Sequence, residues 1–447
     1  MERQEFDALV IGAGAGGMAA AARLQLLGYR TLLVERCDRV GGRASTVEID
    51  GFRVNTGALV TETGGENGRL FADLGVDPGL RMPRRPVVLR LGRRDVPLMS
   101  GPTGFVAQRL LSAVGAISRR TGKRPAPGPT LADWLDKRNA KPALRSLARN
   151  LTSALYAAEP ADVELVLFWD YLTKPGGMSP YAIHPEGAIG PWRVVADDFV
   201  RRGGTLWLSS DVQGLTFVGG RVSGATVRRG GEVVEVDVRA VVSNAGPLQT
   251  AELCPPDALP AGYLERLRTW SRTGALITIN FASRRRLGPI DGLFFFSTTR
   301  RLAYACEVTG TCPEMAPPGW HLYLGACAPS PATGEFDLDA ELALLRADLR
   351  EHFPGFDDAR ELSVEVCAGT DWPAQRAVPG KDEPQSTPIP NLWNVGDGAR
   401  PWAGAGQSGC VESARLAVES LARVVALHSP QPGLTRQVER VSPGAGE

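Results

Sequence analysis

The chain has 447 residues, 43% hydrophobic and 22% charged, enough for two or three domains' worth of core. Its 50 basic and 49 acidic residues leave a formal net charge of +1, so no global field argues for nucleic acid as a partner. No apolar run reaches the ~18 residues of a membrane span. Seven scattered Cys without a C-x-x-C pair, and only four His, leave no metal-site spacing. With no leader-like N-terminus, these thiols read as reduced and the protein as cytoplasmic.

The first element is an apolar, β-branched strand ending at Ile11, followed by Gly12-Ala13-Gly14-Ala15-Gly16-Gly17. An Ala-rich helix over 18–27 stops at Gly28, and Leu32-Leu33-Val34 closes on Glu35. Strand, G-x-G-x-x-G turn, helix, strand and terminal acid in register form the βαβ dinucleotide fingerprint. Gly12 allows the tight turn, Gly14 lets the backbone approach a pyrophosphate, and Gly17 lets helix and strand pack closely. Ala15 and Gly16 stand at the helix N-terminus, whose unpaired N–H groups and positive dipole end suit phosphates. Glu35 can accept both hydroxyls of a ribose but would repel a 2′-phosphate, which disfavours NADP. Next comes Arg36, and then Gly41-Gly42-Arg43. A bare NAD unit has no need of this second Gly pair, whereas the longer FAD would touch it. Arg43 can supply a charge-assisted bond to a phosphate or a flavin carbonyl.

Glu35-Arg36-x-x-x-x-Gly41-Gly42-Arg43 after such a fingerprint resembles the flavin-dependent amine oxidoreductase and phytoene desaturase superfamily. The stretch Gly51-Phe52-Arg53-Val54-Asn55-Thr56-Gly57-Ala58 resembles that family's segment beside the isoalloxazine, with Asn55 where the family more often has Asp. The resemblance implies cofactor contacts from Gly57 and Ala58. His184 to Val212 resembles the desaturase branch's middle block, in which the backbone at Val212 would meet the adenine. Val241-Val242-Ser243-Asn244-Ala245-Gly246-Pro247 resembles the family's V-V-x-N-A-x-P, which brings in Asn244. Gly396-Asp397 and the loop Gly406-Gln407-Ser408 resemble the closing FAD motif, ahead of a helix over about 409–427. There Asp397 would reach a ribityl hydroxyl or the pyrophosphate.

The fold so implied is α/β: a Rossmann-like FAD-binding domain (three-layer ββα) with an interleaved α+β substrate domain. The first would take residues 1–85, 186–250 and 375–428, the second 86–185 and 251–374. Residues 429–447, rich in Pro, Gly and polar residues, read as a flexible tail.

Within the substrate segments, 83–97 reads as a hairpin. Phe105 to Ile117 reads as an amphipathic helix followed by Arg119, Arg120, Lys123 and Arg124. It could cap the substrate site, the preferred reading, or make peripheral membrane contact through 105–124. Helices are expected over 131–137, 142–155 and 163–172, the last apolar all round and therefore buried. Strands are expected over 276–282, 292–296, 320–326 and 362–367, with a helix over 338–352. One or more of Phe294, Phe295 and Phe296 could border a ligand.

The resemblance implies an FAD-dependent oxidoreductase that desaturates a largely apolar small molecule, the flavin N5 taking hydride from a C–H bond. Arg400, Trp402 and Gln407, in the loop beside the flavin, are the catalytic candidates for polarising or shaping the site. Lys174 would suit an oxygen-activating oxidase but reads as a solvated loop residue, and Cys410 as a plain thiol. The alternatives are a flavin amine or amino-acid oxidase, a flavin-dependent isomerase or saturase, and a non-catalytic prenyl-binding chaperone of the same fold. The intact fingerprint argues against the chaperone.

Overall fold

Strand Gln4–Ile11 alternates its side chains between two cores. Ala8 and Val10 face one, and Leu9 and Ile11 the other; Phe6, near the start of the strand, departs from the alternation and joins the second core. The computed structural model describes residues 4–92, 94–173, 179–270, 273–369, 378–402, 404 and 406–427. Lys174 and the 429–447 tail lie outside them.

This strand is the centre of a seven-stranded sheet. Across it run Arg221–Arg229, Glu232–Ser243, Gln4–Ile11, Thr31–Val34 and Thr205–Trp207, with Ser210–Val218 on the outer edge. Leu392–Asn394 pairs in parallel with the end of Glu232–Ser243. Register aligns Ile11 with Val34 and Ser243, and Ser243 with Asn394. The next residues, Gly12, Glu35, Asn244 and Val395, therefore emerge together at the C-terminal edge of the sheet, where ligands bind in open α/β folds.

Helices Ala15–Leu26, Gly190–Arg201 and Gly406–Val424 cover one face. Ala19 to Ala22 are almost wholly buried, and these small side chains let the first helix lie close against the other two. On the opposite face the antiparallel strands 210–243 fold back, packing Val212, Leu215, Val227 and Val236 onto Phe6, Leu9 and Leu32. Each such buried side chain contributes about 1.5–3 kcal/mol relative to exposure.

The second sheet is also seven-stranded. Its order is Arg360–Cys367, Leu276–Ser283, His321–Cys327, Tyr304–Glu307, Gly292–Phe296, Val87–Leu91 and Arg94–Pro97. The last two form the expected hairpin, whose first strand runs parallel to Gly292–Phe296. Helix Leu338–His352 buries Leu342, Leu345 and Leu349 in the same core. The hairpin Thr46–Ile49 and Phe52–Asn55, early in the chain, buries Phe52 and Val54 in the core of this second sheet, and Leu59 just after it does the same. Thr61–Glu62 then pairs with Tyr181–Ala182, tying the two parts together.

Two expectations shift. The C-terminal helix starts at Gly406, earlier than 409. Helix Leu165–Thr173 buries only Val166 and Tyr171 fully; Leu167, Phe168, Trp169 and Leu172 are half-buried. The reason is its partner: helix Gly101–Thr121 covers it along a narrow line, with Trp169 Nε1 donating to Ser118 Oγ at 3.2 Å.

Candidate active site

One cavity of 480 Å³ runs from the edge of the first sheet into the second, within the size of small-molecule sites. Its first half is walled by backbone. Gly12, Gly14, Ala15, Gly16, Gly42, Gly57, Ala58 and Asn244 line it, together with Glu35, Arg36, Arg43 and Val212. Gly12 turns the chain at φ +85°, a conformation that favours glycine. A Cβ on Gly16 would stand 2.7 Å from Asn244 Oδ1 and 2.8 Å from Gly396 N. The N-terminal, middle and C-terminal motifs thus meet in van der Waals contact. Gly17 and Gly396 stand behind the wall: a Cβ on Gly17 would lie 1.8 Å from Gly12 O, and one on Gly396 2.0 Å from Asn244 Oδ1. Ser408 is also outside the lining, its Oγ accepting from Glu66 N at 3.0 Å. Asn55 is a buried knot: its Oδ1 accepts from Thr46 Oγ1 and Ala188 N, both at 2.9 Å.

The polar groups of this half suit a dinucleotide. No side chain caps helix Ala15–Leu26, so its N-terminal N–H groups face the cavity side of the sheet edge. Glu35 Oε2 accepts from Ala13 N at 2.6 Å and Oε1 from Cys37 N at 2.9 Å. Each oxygen keeps a lone pair for a hydroxyl donor. Gln249 lines the cavity, and its buried Oε1 has no hydrogen-bond partner among the described residues.

Asp397 closes the wall. It pairs with Arg43 from the second loop, and Arg400 Nε approaches its Oδ1 at 3.4 Å. Arg400 also grips Asp382, with Nε–Oδ1 at 2.9 Å and Nη2–Oδ2 at 3.0 Å, and donates to Gly404 O. Burial opposes the Arg400 charge, but the Asp382 and Asp397 carboxylates outweigh it and raise its pKa above the ordinary arginine value. Of the three catalytic candidates, only Gln407 lines the cavity. Its Oε1 accepts from Trp192 Nε1 at 2.8 Å, and its Nε2 donates to Val60 O at 3.1 Å. Arg400 is sequestered behind Asp397. Trp402 is turned to Tyr171, ring centroids 6.4 Å apart, and donates to Glu412 Oε2.

The second half of the cavity is walled by side chains from separate segments: Leu155, Leu276, Leu293, Phe295 and Tyr304. Strand alternation points Phe295 at the cavity, while Phe294 lies under Arg85 and Arg90 and Phe296 against His352. Where the halves meet stand Glu62, Tyr181 and Cys410. Glu62 is 6% exposed; its Oε2 accepts from Asn67 Nδ2 at 3.2 Å, and its Oε1 faces Gly406. Burial pushes the Tyr181 hydroxyl well above the usual phenol range, with the Tyr171 and Glu62 charges adding to the shift. Burial likewise pushes the Cys410 thiol up to about 12. No histidine is among the described residues that line the cavity. Glu62 and Tyr181 belong to no motif, and pairing between residues about 120 apart brought them together.

A family model for flavin containing amine oxidoreductases matches residues 15–422. The zeta-carotene-forming phytoene desaturase of Myxococcus xanthus is 24% identical, covering 92% of this chain and 93% of that protein. An oxidoreductase structure from Methanosarcina mazei superposes with a TM-score of 0.79 at 24% identity, over 92% of this chain and 100% of that one. Putrescine oxidase bound to putrescine gives 0.67 at 16% identity, over 94% and 100%. The two structures share the fold. The chain belongs to the flavin-containing amine oxidoreductase family and is an FAD-dependent oxidoreductase.

Proposed function

We propose that the enzyme dehydrogenates a largely apolar small molecule. The observation that carries this is the apolar side-chain wall of the second half, formed among the described residues by Leu155, Leu276, Leu293 and Phe295. Such a wall desolvates an apolar substrate and offers a charged one little in exchange.

Bound FAD supplies the acceptor for a hydride from a substrate C–H bond. Its adenosine diphosphate would lie along Gly12 to Gly16, with Glu35 on the ribose and Arg43 and Asp397 near the pyrophosphate and ribityl. A neighbouring C–H must lose a proton as the double bond forms, and Glu62 is the carboxylate placed to take it. Tyr181, kept protonated by burial, orients rather than removes a proton.

A second reading as an amine oxidase draws on the same carboxylate, since Glu62 could pair with a substrate ammonium. Anaerobic mixing of the oxidised enzyme with a polyene and with a primary amine separates the two. Bleaching of the flavin by the polyene, with slow reoxidation by air and fast reoxidation by a quinone, is expected. Bleaching by the amine alone, followed by rapid reaction with oxygen, overturns the desaturase reading. Glu62→Gln should lower kcat about 100-fold at unchanged flavin content if it takes a proton. A rise confined to KM supports the ammonium contact instead.

A further inference from the structure

We propose that the outward face of helix Gly101–Thr121 docks the enzyme on an anionic lipid bilayer. This goes beyond the catalytic reading and stands on the helix alone.

The helix is held to the protein by its smallest residues. A Cβ on Gly115 would lie 2.4 Å from Thr173 O, and one on Gly104 would lie 3.1 Å from the Leu98 carbonyl. With small residues turned inward, the large ones point out. Phe105, Leu110 and Ile117 are 60%, 62% and 61% exposed, and Val106 lies in line with the last two. Positions 106, 110, 113 and 117 follow one stripe at i, i+4, i+7 and i+11. Single exposed apolar residues are ordinary on a protein surface; a stripe of them along a 21-residue helix is not.

Charge selects the occupant. From Gly101 to Arg124 there is no Asp or Glu, while Arg109, Arg119, Arg120, Lys123 and Arg124 contribute five cations. Arg109 lies over the Phe105 ring at 5.1 Å, Arg119 donates to Thr173 O, and Arg124 reaches Asp170 at 3.5 Å. Arg119 and Arg124 are thus turned to the protein, and a second copy docking through the same face would set Arg109, Arg120 and Lys123 against an identical set with no acid on the helix to receive them. Anionic headgroups offer the opposite charge, and the acyl boundary accepts Leu110 and Ile117. The helix, about 31 Å long at 1.5 Å per residue, would lie in the interface plane without crossing it.

Flotation of the FAD-loaded full chain with vesicles tests this without any turnover. The protein should rise with vesicles of phosphatidylcholine and phosphatidylglycerol, less with phosphatidylcholine alone, and less again at high salt. A Leu110→Glu/Ile117→Glu variant should partition on the order of tenfold more weakly or worse, with flavin absorbance and melting temperature unchanged. An Arg120→Gln/Lys123→Gln variant should lose binding mainly at low salt. The proposal is overturned if the wild type stays unbound to both vesicle types, or if the Glu variant floats as well as the wild type. Sedimentation as a dimer that this variant dissociates would equally overturn it, showing that a second copy covers the face.

Discussion

The two halves of the cavity are built from different materials. The nucleotide half is walled by main chain: Gly12, Gly14, Gly16 and Gly42 leave no room for a Cβ without a shift in Asn244, Gly396 or Gly14, or a strained backbone. The other half is walled by Leu155, Leu276, Leu293 and Phe295, drawn from a helix and two strands of the second sheet. Backbone walls are rigid and carry aligned N–H groups, so they hold one invariant ligand part. Side-chain walls can be exchanged for others of similar volume at a cost usually under about 1.5 kcal/mol. The cofactor is therefore fixed by the fold, and the substrate is open to change.

The largest effect should come from cutting the clasp that closes the backbone half. Arg400 is the central cation between Asp382 and Asp397, and Asp397 in turn holds Arg43. Removing one partner of a buried ion pair strands the others, at about 3–5 kcal/mol. Arg400→Ala should lower stability by that amount in urea unfolding and empty the flavin site. Unchanged stability with reduced turnover would instead place Arg400 on the substrate and weaken the division between the halves.

Glu35→Ala probes the same half more gently. Ala13 N–H and Cys37 N–H lose their acceptor along with the ribose contact, worth about 1.5–3 kcal/mol. FAD affinity should fall roughly 10–100-fold, with kcat unaltered at saturating FAD. Undiminished flavin occupancy after dialysis would remove Glu35 from the ribose.

The contrast in materials also explains what could be read from the sequence. A main-chain wall demands glycine at fixed spacing, so Gly12 to Gly17, Gly41-Gly42 and Gly396 announce themselves as motifs. Side-chain walls demand only apolar volume, which Leu155 and Leu293 share with every core leucine. Glu62 was invisible because it reaches the site through its pairing with Tyr181, a contact that no local pattern encodes. Arg400 and Trp402 were drawn toward the flavin by their place in the chain. In the fold, Asp397 comes between Arg400 and the cavity, and Trp402 turns to Tyr171 and Glu412. Helix Leu165–Thr173 reads as core, and only the glycine-lined contact of Gly101–Thr121 leaves it half-exposed.

The smallest effect belongs to the seam between the halves. Cys410 lines the cavity one turn into helix Gly406–Val424, its Sγ donating to Gly406 O at 3.8 Å. Burial, then the neighbouring Asp397 charge, raise its pKa from 9.0 to about 12. The folded state therefore keeps this proton where the unfolded chain gives it up. The stability it carries is intact below pH 9 and lost as pH rises from 9 toward 12, by about 1.4 kcal/mol per pH unit. Cys254 and Cys312, raised to about 11 by burial, add to the same trend, so the difference between wild type and Cys410→Ala isolates the one thiol. The variant's urea midpoint should fall less steeply between pH 9 and 10, whatever its level at pH 8. Parallel pH profiles would mean that Cys410 ionises in the fold as freely as in the unfolded chain. A thiol held neutral is also a poor nucleophile, so acid precipitation should leave all the flavin in the supernatant. Yellow protein in the pellet would make Cys410 part of the cofactor's attachment and tie the seam to the nucleotide half.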